Sequence, residues 1–503
     1  MRVHLVGVSG TGMGQLALLL RDAGHDVSGS DMAFDPPVGP ALEAAGIRCV
    51  KGYEAAHIDA SLELVVIGNA IRKENPEAMR AEELGLARSS MSLALREQFL
   101  IGPWGRRRPL VVAGTHGKTT TSAMCAWILH EAGLDPGFFI GGLPKNFPSG
   151  ASIGSTKRKL ASSSGAHAGA GKTAPFVIEG DEYDAVYWNK RPKFFDYVGI
   201  GTDDVAIITS IEQDHIDIYP SVELYEAQFE AFVQMIPGDG LLAVDVRDAR
   251  ARAIVAEHAE SKTLFYGLEG DDTGDITPTW LGAMVAPDPV SGAQPFDLYA
   301  GGSFCGRFAL KVPGAHNVRN AVGAIAACAE GFGVGVQTAR TALASFEGVR
   351  RRQDLLGRPR DIAVYDDFAH HPTAVDETLR ALRARHPNGK LWAVFEPRSA
   401  TACRALHQHE YVAAFAPADR VLFAPLGRTN VPEPERLDLD RLAREIGDKA
   451  IAETSVDSIL ERIVREAAPG DTVALLSNGA FGGIHARLLT ALASPVPPRS
   501  SAT

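Results

Sequence analysis

The residues Gly114-Thr-His-Gly-Lys-Thr-Thr-Thr121 are the types that grip a triphosphate, in the order that binding requires. The apolar stretch Pro109–Ala113 before them reads as a strand, and 122–132 after them reads as a helix. Backbone N–H groups of such a turn and the helix N-terminus point at phosphate oxygens, and the helix dipole adds to the attraction. Lys118 would reach the terminal phosphates and the Thr119 hydroxyl would hold Mg²⁺. The strict Walker pattern has a glycine five residues before Gly117; Val112 stands there, so this is a short variant, G-T-x-G-K-T-T. Gly114, Thr115, His116, Gly117, Lys118, Thr119 and Thr120 are therefore the candidate ATP contacts. Magnesium on a nucleotide takes hard oxygen ligands. Glu179, ending the strand-like 175–179, is the best partner for Thr119; Asp181, Glu182 and Asp184 compete, although a solvated acidic loop accounts for most of them. His215, among Asp214 and Asp217, suits a hydrogen-bond hub, a metal ligand or a contact to a substrate oxyanion. No H-E-x-x-H occurs, which argues against a zinc protease.

Other residues suit nucleotide recognition. Asn317 and Asn320 sit three apart at a helix start. N-capping explains one of them, whereas carboxamides can read an adenine edge through a donor and an acceptor. Arg350-Arg-Arg352 lies where an arginine could swing onto a phosphate, and Asp366 and Asp367 end a strand, well placed for ribose hydroxyls. Near the N-terminus, Arg2–Gly7 reads as a strand, Gly7-Val-Ser-Gly-Thr-Gly-Met-Gly14 as a Gly-rich turn, and 15–23 as a helix. The next strand delivers Asp31, and the strand over 62–68 leads into Asn69. This is the layout of a βαβ unit that receives a diphosphate on its turn. The spacing differs from the dinucleotide fingerprint, so an NAD-dependent oxidoreductase is the reading from another class; it leaves Gly114–Thr121 unexplained.

The elements positioning these residues alternate strand and helix, so the fold class is α/β. At roughly 150 residues per domain, 503 residues give about three. The expected division is 1–105, 106–345 with a mobile Ser/Gly/Ala/Lys-rich surface insertion over about 150–174, 346–492, and a disordered Pro/Ser-rich tail over 493–503. A polar linker is expected over 102–108, and alternating β structure over 275–312. Hydrophobic residues make up 45% of the chain, but no apolar run approaches the ~20 residues that span a bilayer. The first eight residues read as a strand with no signal-peptide cleavage site. Five scattered cysteines without C-x-x-C spacing suit reduced thiols in the cytoplasm. A net charge of −11 argues against general nucleic-acid binding.

Gly114–Thr121, Glu179–Asp184, Asp214–Asp217, His316–Asn320, Arg351-Arg352 and Tyr365–Thr373 follow one another in the order and spacing of the Mur ligase family, which builds the peptide stem of peptidoglycan. The chain resembles that family over nearly its whole length, apart from the insertion and the tail. Ile67-Gly-Asn-Ala70, Gly137–Gly142, Phe176–Asp184 with Lys190-Arg-Pro-Lys-Phe194, Glu396-Pro-Arg-Ser399 and Ser477–His485 resemble its peptide-recycling branch. Asp366–Thr373 is equally similar to the L-alanine-adding branch.

The resemblance implies an N-terminal Rossmann-like UDP-binding domain, a central P-loop ATPase-type domain and a C-terminal Rossmann-like ligase domain. It implies ATP and Mg²⁺, and ligation of UDP-N-acetylmuramate to L-alanyl-γ-D-glutamyl-meso-diaminopimelate through an acyl phosphate. L-Alanine is the alternative amine. The partners are then small molecules, with no nucleic acid or membrane. UDP would lie on Gly10, Thr11, Gly12, Met13, Gly14, Asp31 and Asn69. Asn317 and Asn320 would take adenine, Arg352 phosphate and Asp367 ribose. The implied catalytic set is Lys118, Glu179 and His215, with Thr119, Glu179 and His215 as metal ligands. The sequence departs from the family at two places. Ser210 stands where many members have Asn, and Tyr225–Phe229 lacks the lysine that several amino-acid-adding members carbamylate, which shifts metal binding onto His215 and Glu179.

Overall fold

The computed structural model describes residues 1–103, 105–154, 173–288, 291–428 and 430–494. Three sheets follow one another along the chain. The first has five parallel strands, ordered Arg48–Lys51, Asp26–Asp31, Arg2–Val6, Leu64–Ile67 and Arg88–Ser90. The strand order reverses beside Arg2–Val6, and in open α/β sheets ligands bind at such a reversal.

The turn after Arg2–Val6 is shorter than the glycines suggest. The helix begins at Thr11 and runs to Asp22, so Gly12, Met13 and Gly14 are helical. Their glycines serve packing: a Cβ on Gly12 would stand 2.6 Å from Met91 Sδ, and one on Gly14 would collide with Val38.

The second sheet has ten strands. Arg108–Ala113 lies between Pro175–Glu179 and Val205–Ile208, parallel to both. Leu241–Asp245, Lys262–Leu268 and Trp280–Met284 extend the parallel region on one side and Gly137–Phe139 on the other. Gln294–Ala300 and Ser303–Leu310 close one margin antiparallel, the alternating β structure expected there. The strands Leu110–Ala113 and Val205–Ile208 are wholly buried, as a sheet covered on both faces requires. Lys118–Glu131 and Ala315–Phe332 pack together on one of those faces.

Two expectations are corrected here. The polar linker expected over 102–108 is shorter at its end: the Arg107 side chain is buried and donates to the Ile153 carbonyl, and Arg108 opens the strand. The expected insertion does not start at residue 150, because Ala151-Ser152 pairs with Phe138 and Phe139. The rest of that expected insertion, 155–172, and the tail beyond 494 lie outside the described residues.

The third sheet has six strands, ordered Asp354–Gly357, Ala363–Asp367, Thr472–Leu476, Leu391–Phe395, Arg420–Phe423 and Ala450–Ala452; all but the first are parallel. Apolar side chains on both of its faces form separate layers under flanking helices. Among the described residues no helix is long and apolar enough to cross a membrane.

Candidate nucleotide-binding active site

The strand Arg108–Ala113 ends at Gly114, and its two neighbours end at Glu179 and at Thr209-Ser210, so three strand ends converge on one loop. Gly114 at φ +126° and Gly117 at φ +80° occupy backbone conformations that side chains rarely adopt. A Cβ on Gly114 would meet Thr209 and Ser210, and one on Gly117 would stand 2.5 Å from Asn320 Oδ1. Ser210 holds the loop: its carbonyl accepts from Thr115 N–H at 2.9 Å and its hydroxyl from His116 N–H at 3.1 Å. The helix therefore starts at Lys118, four residues earlier than its apolar pattern suggests. Gly117, Lys118, Thr119 and Thr120 line a cleft of about 390 Å³. The leading N–H groups of a helix have no carbonyl one turn back, and the residues that carry them here line this cleft.

Lys118 Nζ lies 3.0 Å from Glu182 and donates to the Gly114 carbonyl at 2.5 Å. Glu182, rated above as one of several acids in a solvated loop, is instead buried at 1% side-chain exposure. It also faces His215 Nε2 at 3.1 Å and accepts from the Tyr225 hydroxyl at 3.3 Å, while Tyr219 donates to its carbonyl. Burial works against charge on all three groups, but opposite charges outweigh it: Glu182 and then Glu179 for Lys118, Asp214 and then Glu182 for His215, and Lys118 and then His215 for Glu182. Lys118 and His215 are held above their ordinary values and Glu182 below its own. Asp181 is also opposed by burial, yet the Lys193 ammonium at 2.6 Å brings it to about 2.

Glu179 takes a different position. One oxygen accepts from Thr119 Oγ1 at 2.8 Å and the other from Gly141 N–H at 2.7 Å. Thr119 and Glu179 are thus adjacent hard-oxygen donors, the chemistry magnesium prefers. His215, expected beside them, is engaged with Glu182.

From the next segment Arg352 reaches across, with Nη2 3.4 Å from Thr119 Oγ1 and its guanidinium 4.9 Å above the Phe368 ring. Arg351 turns the other way, onto the carbonyls of Ser477 and Gly479 and the Asp366 carboxylate. Asp367 faces the cleft with its carboxylate fixed by the N–H groups of Gln353 and Ala369, and burial pushes it up. Asn317 and Asn320 line the same cleft within the first turns of Ala315–Phe332, whose N-cap is Gly314; Asn317 donates to the Pro313 carbonyl.

The first domain contributes Thr11 and Gly12 to the cleft wall. Gly10, Met13, Gly14, Asp31, Asn69 and Gly114 do not line it. Met13 is buried in the core, Gly14 donates its N–H to the Gly10 carbonyl, and Asn69 is exposed. Asp31 braces the turn by accepting from Ser9 and Met32 N–H groups.

One group of residues was not foreseen. Glu212 Oε2 lies 3.2 Å from His116 Nε2 and 3.4 Å from His371 Nδ1, and it accepts from Thr373 Oγ1 at 2.8 Å. Burial would raise Glu212, but the hydrogen bond and charge of His116 contribute to bringing it to about 2. Burial and the neighbouring His116 take His371 down to about 3, so it is neutral near pH 7. The segments carrying these residues are far apart in the chain, and their meeting, with more than 150 residues between Glu212 and His371, was not legible.

Three family descriptions match the chain in order: "Mur ligase family, catalytic domain" over 2–99, "Mur ligase middle domain" over 112–328, and "Mur ligase, glutamate ligase domain" over 351–479. The chain belongs to the Mur ligase family. It is accordingly an ATP-dependent ligase forming a carbon–nitrogen bond, with a role in peptidoglycan synthesis. Among Mur ligases it is 35% identical over 494 residues to the UDP-N-acetylmuramate–L-alanyl-γ-D-glutamyl-meso-2,6-diaminoheptandioate ligase of Escherichia coli (strain K12), covering 98% of each chain. It is 36% identical over 424 residues to the UDP-N-acetylmuramate–L-alanine ligase of Paenarthrobacter aurescens (strain TC1), covering 84% of this chain and 82% of that one. The solved murein peptide ligase of Psychrobacter arcticus 273-4 superposes with a TM-score of 0.70 at 34% identity, covering 99% of this chain and all of the other.

Proposed function

We propose that this Mur ligase joins UDP-N-acetylmuramate to L-alanyl-γ-D-glutamyl-meso-diaminopimelate in peptidoglycan recycling, in the cytoplasm. The observation that carries the reading is the single cleft in which Thr11 of the first domain, Lys118 of the second and Arg352 of the third meet. Full-length likeness to the tripeptide-adding Escherichia coli enzyme supports the choice of amine.

A carboxylate is a poor electrophile, so the lactyl carboxylate oxygen attacks the terminal phosphorus of ATP and ADP leaves. The tripeptide nitrogen then attacks the acyl-phosphate carbon, loses its proton, and expels phosphate as the amide forms. Catalysis of this kind is mostly positioning and charge neutralisation. Lys118, kept charged by Glu182, supplies the cation at the transferring group. Arg352 binds the same phosphates from the third domain. Asn317 and Asn320 read adenine, and Asp367 offers its remaining lone pairs to the ribose. Thr119 and Glu179 suit a magnesium ion, which when bound would neutralise charge on the phosphoryl group; His215, the expected further ligand, would have to leave Glu182 and give up its proton to join them. The UDP diphosphate rests on the N–H groups of Thr11, Gly12 and Met13, with Asp31 and Asn69 on the uridine side. Gly10 and Gly14 are there to shape the turn and its helix.

L-Alanine is the second reading, favoured by the likeness to L-alanine-adding ligases and by Asp366–Thr373. Phosphate release with ATP, Mg²⁺ and UDP-N-acetylmuramate, compared between the two amines, decides it. Release is expected with the tripeptide; release with L-alanine and none with the tripeptide overturns the assignment.

A further inference from the structure

His116, Glu212 and His371 converge from three separate segments: the phosphate loop, the stretch after Val205–Ile208, and the residue preceding the helix Pro372–Arg385. Their ligand atoms all lie within 4.8 Å of one another. Two of the separations are 3.2 and 3.4 Å. Bonds of about 2.0–2.1 Å from a four-coordinate transition metal to nitrogen and carboxylate oxygen imply donors about 3.3–3.4 Å apart. Both histidine–carboxylate separations already match that spacing, and the two imidazole donors lie within 4.8 Å of each other.

The state of His371 points the same way. Its side chain is 8% exposed, yet neither ring nitrogen has a hydrogen-bond partner, and the 3.4 Å approach to Glu212 lacks hydrogen-bond alignment. An imidazole buried without partners has forfeited its hydration and keeps an unused lone pair. Its ring lies 4.8 Å from that of His116 and 4.6 Å from that of His407. Thr373 donates to Glu212, the outer hydrogen bond that orients a ligating carboxylate.

We propose that His116, Glu212 and His371 form a second metal site, apart from Thr119 and Glu179, that takes a borderline transition metal of the Zn²⁺ class with one position open. Two imidazoles and one carboxylate select such ions over magnesium. Because His371 belongs to the third domain and the other two ligands to the second, the ion clamps these domains together beside the phosphate loop. The proposal does not depend on which amine the enzyme uses.

Cobalt(II) tests it, since four-coordinate cobalt absorbs far more strongly in the visible than octahedral cobalt. The metal-free full chain is titrated with Co²⁺ alone, then with Zn²⁺. A strong visible band displaced by Zn²⁺ is expected. The band should vanish in His116→Gln and His371→Gln and persist in His215→Gln. Thr373→Val should weaken the affinity by about 10–100-fold. Glu212→Cys keeps a ligand and should add a thiolate-to-cobalt charge-transfer band, which covers the case where a histidine variant fails to fold. No visible band in the wild type, a band surviving in folded His371→Gln, or a band lost in His215→Gln would each overturn the proposal.

Discussion

Replacing Glu182 by Gln removes the anion that keeps Lys118 charged in a buried position. The pair is 3.0 Å apart, with side-chain exposures of 14% and 1%. At an effective dielectric constant near 20 its attraction is about 5 kcal/mol. Removing one partner of a buried pair costs about 3–5 kcal/mol, because the other charge stays buried. Glutamine keeps a carbonyl for Lys118 and Tyr225, which puts Glu182→Gln near the lower end, at about 3 kcal/mol. Lys118→Met should cost less, since Glu182 still faces His215 at 3.1 Å. The double variant should be more stable than the two single costs predict, by about 2 kcal/mol, within the range found for contacting residues. Hydrogen exchange of the helix Lys118–Glu131 reads this directly: about 3 kcal/mol corresponds to roughly a hundredfold faster exchange in Glu182→Gln. All variants lacking Lys118 should lose turnover. Unchanged protection in Glu182→Gln together with an additive double variant would refute the reasoning that a buried ion pair holds Lys118 in place.

Acid should loosen the contact between the second and third domains in two stages. His371 falls from 6.5 to about 3, so its neutral, closed state weakens as pH drops below 6.5; this amounts to about 3 kcal/mol by pH 4.5. Glu212 falls from 4.5 to about 2, so its contribution is present above pH 4.5 and is lost as pH falls towards 2. Exchange of Pro372–Arg385 measured with chelator from pH 7 to 4 should show the first stage, and His371→Gln should remove it; flat wild-type protection contradicts both. Gly117→Ala forces a side chain into φ +80° and against Asn320, so calorimetry should show ATP affinity falling by about tenfold or more, from a strain of about 1–2 kcal/mol. Gly14→Ala must displace the β-branched Val38, whereas Gly12→Ala meets the flexible Met91 thioether. Denaturant unfolding should rank Gly14→Ala as the costlier, by about 1 kcal/mol; the reverse order would remove the packing role of Gly14.

The α/β fold and the strand–loop–helix unit around Gly114–Thr121 were legible because both are local: apolar runs of strand length end in glycine, lysine and threonine. The helix start was misplaced because Thr119–Thr121 resembles a polar loop, and only the converging strand ends draw it into the helix. The strands Arg48–Lys51 and Arg88–Ser90 carry too few apolar residues to announce themselves. Glu179 could be ranked above its neighbours because it ends a strand, but the separate role of Glu182, three residues on, could not be read from the sequence. What separates them is burial by Tyr219, Tyr225 and Lys118, which arrive from distant segments. The same distance hid Glu212 with His371, although His371 lies in the segment Tyr365–Thr373 and Glu212 stands two residues before Asp214–Asp217. Gly12 and Gly14 show the converse: a glycine pattern that suggests ligand binding also meets a demand for close packing.

The central claim is that ATP activates the lactyl carboxylate as an acyl phosphate before the tripeptide attacks. UDP-N-acetylmuramate carrying oxygen-18 in that carboxylate, turned over with ATP and the tripeptide, tests it most directly. The account predicts one labelled oxygen in each phosphate released and one in the new amide. Phosphate free of label, formed alongside the amide, would contradict it.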